Sequence, residues 1–247
     1  MFSQNQRVFS NRVVPKPAEE EQVIDAAEVL YRKHTGETAW IVGLGASIKY
    51  LDGKYFGSGP IITMNGSIKI VQELGLRNQI YSLQKDGCEK RGLPSHQCGE
   101  KMFYPRIDIP VILPRRGYGE LCLEEHPNRL WLDYVTSLDL EPPEMSVRIA
   151  VGLALRIMGC IRIAFVCCDS LLSDNPKNMR RYYPETGKIA IPPDYGNYIY
   201  ARPLVLGDVQ GIPHYILMPG EGRQDKNYIA SPRGYRHGLT LDIEGAD

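Results

Sequence analysis

The sequence predicts an α/β fold: a mostly parallel sheet flanked by helices, with a loop-rich C-terminal region packed on it. Three observations carry this. Short apolar runs that stop at glycine or small polar residues recur through the first two thirds of the 247 residues. Helical patterns separate several of those runs. One of these, residues 145–158, is apolar almost all round and so must be buried. Strand, helix, strand in this rhythm means parallel strands joined by right-handed crossovers.

Taken in order, residues 1–17 read as an arm, rich in Gln, Asn and Ser, with Arg7, Arg12 and Lys16 and no acid. The body runs from 18 to 172. Ala18-Glu19-Glu20-Glu21 is an acidic first turn suited to the positive end of a helix. Val23, Ala26, Ala27 and Leu30 give that helix an apolar face, and Gly36 stops it. Residues 39–42 make a strand ending in Gly43-Leu44-Gly45, and residues 60–64 a second, followed by Asn65-Gly66-Ser67. Ile68, Ile70, Val71 and Leu74 suggest a short helix closing at Gly75. Residues 79–83 form a third strand, ending in Gln84-Lys85-Asp86, and residues 109–113 a fourth. The apolar helix at 145–158 follows Pro142 and Pro143 and ends at Gly159, and residues 161–166 form a core strand running into Cys167-Cys168-Asp169. No internal repeat is present.

The remainder, 173–247, is loop-rich, and its shape does not follow from its pattern. The stretch 170–237 holds eight of the fifteen tyrosines and nine basic residues against six acids. The whole chain, with 29 Lys+Arg and 29 Asp+Glu, is neutral. Neutrality argues against a protein that coats nucleic acid through global charge, and 43% hydrophobic residues argue against disorder. No apolar run approaches the roughly 20 residues that span a bilayer, and the start lacks the apolar core of a secretory signal. A soluble, cytoplasmic protein is expected. The six cysteines form no CxxC pair. Cys88, His96 and Cys98 are the one cluster with metal-ligand character, and a fourth ligand is missing, so no metal is expected.

In open parallel sheets ligands bind beyond the carboxyl ends of the strands. Gly43-Leu44-Gly45-Ala46-Ser47 is the most suggestive such end. Its glycines would let the backbone approach a ligand, and Ser47 would cap a helix whose free N–H groups hold a phosphate; a tight turn with no ligand is the alternative. Ile48 stands where the dinucleotide fingerprint needs its third glycine, and there is no GxxxxGK[ST].

Ile41-Val42-Gly43-Leu44-Gly45-Ala46-Ser47-Ile48 resembles the G-x-G-P-S-L opening of the small bacterial CMP-sialic-acid sialyltransferases and of the archaeal 6-hydroxymethylpterin pyrophosphokinase group. Thr63-Met64-Asn65-Gly66 resembles that family's second strand, Ser146 to Leu155 its S-G-V-x-A helix, and Val166-Cys167-Cys168-Asp169 its G-x-D strand end. The four motifs cover residues 38–172 in the family's order. Ala46 stands where proline is usual, and Leu44 replaces a polar donor contact. The resemblance implies a Rossmann-like nucleotide-binding domain, with Asn65 against the donor nucleotide and a histidine base after the G-x-D strand, for which His214 and His237 are the candidates.

On that basis the expected function is a glycosyltransferase-like reaction. A sugar passes from a nucleotide-sugar donor, which is substrate rather than a tightly bound cofactor, to an acceptor hydroxyl without a metal. A leaving nucleoside phosphate needs fixed donors. Those expected are Gly43, Gly45, Ala46 and Ser47 through the backbone, Ser146 at a helix start, and Arg180, Arg181, Tyr182 and Tyr183 as a clamp, in a lid or acceptor region. A solvated basic surface is the other reading of that clamp. Asp169 is expected to touch the ligand, or else to cap a helix; His214 is the expected base, or else a core histidine. The acceptor stays open among glycan, lipid and nucleic acid, as does the oligomeric state. Two alternatives remain: a diphosphate transferase using ATP and Mg, and a non-catalytic nucleotide-fold binding module.

Overall fold

A computed structural model describes residues 24–85, 105–114, 126–141, 145–172, 179–184, 186–192 and 195–219. The arm 1–17, the acidic turn at 18–21, Cys88, His96 and Cys98, Asp86 and His237 lie outside the described residues.

The strands expected in the first two thirds form, in order, as β1 (Thr38–Val42), β2 (Ile61–Met64), β3 (Ile80–Leu83), β4 (Val111–Pro114) and, after β5 (Arg129–Leu132), β6 (Arg162–Val166). β1 to β4 are rich in Ile, Val and Leu and almost wholly buried, as strands covered on both faces must be. β5 alternates between half-buried and buried positions, as suits its place at the sheet's edge. Four short helices belong to the same body: α1 (Ala26–Leu30), α2 (Ile68–Val71), α3 (Tyr134–Leu138) and α4 (Ser146–Gly152). The Asp25 carboxylate caps α1 by accepting the Ala27 N–H at 2.7 Å. α4 continues through a wider π turn, Leu153–Ile157, to Gly159 at φ +78°, so the apolar helix read from the sequence is present with a modified last turn.

The last third departs from its loop-rich expectation. A two-stranded antiparallel hairpin, β7 (Arg181–Tyr183) and β8 (Lys188–Ala190), is followed by the fourteen-residue helix α5 (Tyr195–Asp208) and by β9 (His214–Leu217). Pro203 lies inside α5, where sequence rules end a helix. Burial of Ala201, Val205 and Val209 on one side of the chain outweighs it.

The seven strands form one all-parallel sheet in the order β5-β4-β3-β2-β1-β6-β9. This is a Rossmann-like α/β fold. From β1 the chain steps outward to β5, then returns to the far side of β1 as β6 and β9, so the reversal lies between β1 and β6. Because β9 pairs with β6, the sheet extends past residue 172. Alternate residues of each strand feed two cores. Ile41, Ile62, Tyr81 and Phe165 pack with residues of α1, α3, α4 and α5. Trp40, Val42, Ile61 and Val166 pack with Ile48, Ile68 and Val71 on the other face. Among the described residues no helix is long and apolar enough to cross a membrane.

Candidate functional site

The reversal point is where a ligand would be sought first, and here the protein fills it. Ser47 donates its N–H to one oxygen of the Asp169 carboxylate at 2.9 Å and its hydroxyl to the other at 2.5 Å. Gly45 lies beneath that carboxylate: a Cβ there would stand 2.4 Å from Asp169 Cγ and 2.6 Å from the Cys167 carbonyl oxygen. At Gly43 a Cβ would come within 2.7 Å of the same carbonyl. The two glycines therefore admit the end of β6. Cys167 turns the chain into that contact at φ +55°, a conformation unfavourable for a side chain of its kind.

The expected phosphate cradle is corrected by this packing. Gly43 N–H donates to Val166 O, Gly45 N–H to Cys167 O and Ala46 N–H to Arg180 O, at 2.8–3.0 Å, and Ser47 N–H is held by Asp169. The four backbone donors assigned to a ligand are all taken by protein acceptors. Nor does Ser47 cap a helix: the segment Ala46–Tyr50 is a five-residue 3-10 turn with no side-chain cap. Asp169 is 2% exposed, and burial pushes its carboxyl up to about 6 although the Ser47 hydrogen bonds oppose the rise. Burial, reinforced by Asp169, also pushes the Cys167 and Cys168 thiols up, so both are uncharged near neutral pH. Asp169 thus acts as a brace between strand ends.

The basic, tyrosine-rich segment does meet the glycine loop. Tyr182 N–H donates to Leu44 O at 2.8 Å, and with the Ala46–Arg180 bond this sets Arg181 opposite Gly45 in an antiparallel bridge. Tyr182 packs on the core cluster that contains Trp40 and Val166. The Arg181 guanidinium carbon lies 5.5 Å from the Tyr183 ring centroid, a cation–π arrangement.

A second polar group forms at the ends of β2 and β3. Asn65 adopts φ +49°, which asparagine tolerates better than most residues. Its Oδ1 accepts the Lys85 N–H at 3.0 Å, its carbonyl accepts Gln84 Nε2 at 3.1 Å, and its Nδ2 donates to Ser146 Oγ at 3.4 Å. Ser67 Oγ ties this group to the end of β1 by donating to Val42 O at 3.0 Å. Sequence reasoning assigned Asn65 and Ser146 separately, and the structure brings them together. It assigned no role to Gln84 and Lys85; their place at a strand end was the available signal.

His214 is the clearest correction. It opens β9 opposite Ile163 near the start of β6, while Leu217 pairs with Val166 at the other end. Three residues of parallel strand separate these ends by about 10 Å, and Asp169 lies further on. His214 Nδ1 instead meets Ile212 O at 2.8 Å. Strand polarity, invisible in the local sequence, puts it at the wrong edge to act with Asp169. His34 also precedes a strand, with Nδ1 at 3.0 Å from Glu37 and Nε2 at 2.9 Å from the Tyr81 hydroxyl. Burial and the Glu37 charge push the Tyr81 phenol up to about 12, and its ring is sealed from solvent, so this trio is structural.

Among the described residues no group of three or more His, Cys, Asp and Glu could hold a metal ion. Comparison of the chain with protein-family models, with curated proteins and with solved structures finds no match.

Proposed function

We propose that the chain binds a nucleotide-linked donor across the C-terminal edge of its parallel sheet and transfers the linked group, a sugar in the leading form, to an acceptor hydroxyl. One observation carries the reading: segments remote in sequence, at 43–47, 65, 146 and 180–183, lie together at that edge. It is the edge at which open α/β sheets take ligands. With the crevice between β1 and β6 filled, the ligand lies over the ends of β1 to β3, along Asn65 and Ser146, with Arg180 and Arg181 toward its phosphates. A metal-independent donor suits this set, because among the described residues its charged side chains, Arg180 and Arg181, are cationic and the nearby buried acid, Asp169, is spent on Ser47. A diphosphate transferase using ATP and Mg would need acids facing the ligand.

A second reading, a nucleotide-binding module without catalysis, is favoured by the position of His214. No described histidine stands at this edge, and Asp169 is too enclosed to take an acceptor's proton.

Thermal stabilisation by CMP, UDP, GDP and ATP, with and without EDTA, tests binding. The proposal expects a selective shift from one nucleotide that EDTA leaves unchanged. An ATP shift abolished by EDTA would favour diphosphate transfer, and no shift from any nucleotide would sink both enzyme readings. Hydrolysis of the matching nucleotide sugar then separates the transferase from the binding module. Ser47 is wholly buried, so variants for locating the site belong at Asn65 and Ser146.

A further inference from the structure

The Arg181 side chain stands apart from the other charged groups of this edge. Its backbone is fixed twice, by pairing with β8 and by the bridge to Gly45. The Gly45–Arg181 pair lies between the two flanking hydrogen bonds, so it is the closely spaced kind of antiparallel pair. The guanidinium rests against the Tyr183 ring, yet its Nε is shielded from solvent with no hydrogen-bond acceptor among the described residues. A shielded guanidinium N–H without an acceptor is uncommon, because the group has lost water and gained nothing in return. Asp169, the acid buried under Gly45, does not serve it: both oxygens of that carboxylate are engaged by Ser47.

We infer that Arg181 is the phosphate-gripping residue of this site, held by Tyr183 so that one edge of its guanidinium takes two oxygens of a phosphoryl group. The inference rests on the proposed location of the ligand and deepens it by singling out Arg181 over Arg180 and giving it a two-point contact with one phosphoryl group. A planar guanidinium with parallel N–H donors matches two oxygens of a tetrahedral phosphoryl group, which a lysine ammonium cannot do. The neighbouring Tyr183 ring limits where the guanidinium can swing, and the two terminal nitrogens, not the shielded Nε, form the edge that meets the phosphoryl group. The bridge to Gly45 places this donor set beside the glycine loop, where the Gly43, Gly45, Ala46 and Ser47 N–H groups are already occupied.

Calorimetric titration of the full chain with inorganic pyrophosphate and with CMP, at fixed ionic strength, tests this on wild type, Arg181→Lys and Lys188→Gln. Wild type should bind pyrophosphate, and Arg181→Lys should weaken that binding at least tenfold although the charge is kept. Lys188→Gln, an exposed change on β8, should alter it less than twofold. Undiminished pyrophosphate binding by Arg181→Lys overturns the inference, as does an equal loss in Lys188→Gln, which would mean a diffuse field. Absence of pyrophosphate binding by wild type overturns it too. Arg181-dependent binding of pyrophosphate with CMP bound no more tightly would uphold the inference while sinking the nucleotide reading. If Arg181→Lys fails to fold, Tyr183→Leu replaces it: loss of the stack should weaken pyrophosphate several-fold, and unchanged affinity overturns the inference.

Discussion

Asp169 reaches 122 residues back along the chain and takes both donors of Ser47, the N–H at 2.9 Å and the hydroxyl at 2.5 Å. This one carboxylate joins the ends of β1 and β6, the two parallel strands between which the order of strand addition reverses. It also explains Gly45, which has no room for a side chain beneath it.

Removing the carboxylate should be costly. Asp169→Ala strands two buried donors of Ser47, and about 3 kcal/mol of stability should be lost. Ser47→Ala removes one donor and should cost about 1 kcal/mol. Urea unfolding of the three proteins measures both, and a change below about 0.5 kcal/mol for Asp169→Ala would show that the pair is incidental.

The same carboxyl should give stability a pH slope. Its folded value is about 6 against 3.8 for the free side chain, so the folded protein binds this proton more tightly than the unfolded chain. The contribution is full below about pH 4 and is lost as pH rises through about 6, a change on the order of 3 kcal/mol. Asp169→Asn has no proton to lose. The difference in melting temperature between wild type and Asp169→Asn should therefore move against wild type between pH 4 and pH 7. A constant difference across that range would mean that Asp169 titrates normally.

Two glycines should respond oppositely to alanine. At Gly45 the new methyl meets Asp169 and the Cys167 carbonyl, the latter backbone that cannot swing aside, and a loss above about 2 kcal/mol is expected. At Gly207, within α5, nothing lies within 4 Å of the new methyl, and a gain of about 0.5–1 kcal/mol is expected from helix propensity. Chemical unfolding of both variants checks the contrast. Equal effects would place Gly45 in open space.

Arg148 on α4 holds Asp208 at the end of α5 through Nε at 2.6 Å and a terminal nitrogen at 3.0 Å, with side chains only 17% and 25% exposed. A double-mutant cycle with Arg148→Met and Asp208→Asn should give a coupling of about 1 kcal/mol, above the level of exposed pairs. Hydrogen exchange along α5 should quicken in either single variant. Unchanged protection would show that α5 is held by its apolar face alone.

The strands that became central were readable because their side chains are apolar on both faces, as in β1 to β4. β5 and β9 were not: Arg129 and Trp131 interrupt one, and His214 and Tyr215 begin the other, since edge strands need no continuous apolar run. α5 was hidden by Gly196, Pro203 and its tyrosines, whose local propensities point away from a helix until Val205 and Val209 are buried. At the candidate site, Asn65 was indicated by its place at a strand end, Ser146 by its place at a helix start, and the segment 180–183 by its basic and tyrosine-rich composition. His214 was chosen as a histidine following the strand that ends at Asp169, and chain order gives no sign that it opens β9 at the opposite edge of the sheet.

By itself the sequence determined the alternating α/β body, the strand ends where polar residues collect, and a neutral chain whose final third is basic. These are properties of neighbouring residues, and period and composition express them directly. The tertiary structure decided the strand order, the closure of β6 onto Gly43 and Gly45, and the use of the Gly43, Gly45, Ala46 and Ser47 N–H groups by the protein's own acceptors. Whether a donor is free depends on what packs against it. Here those partners lie more than a hundred residues away, beyond the reach of any local pattern.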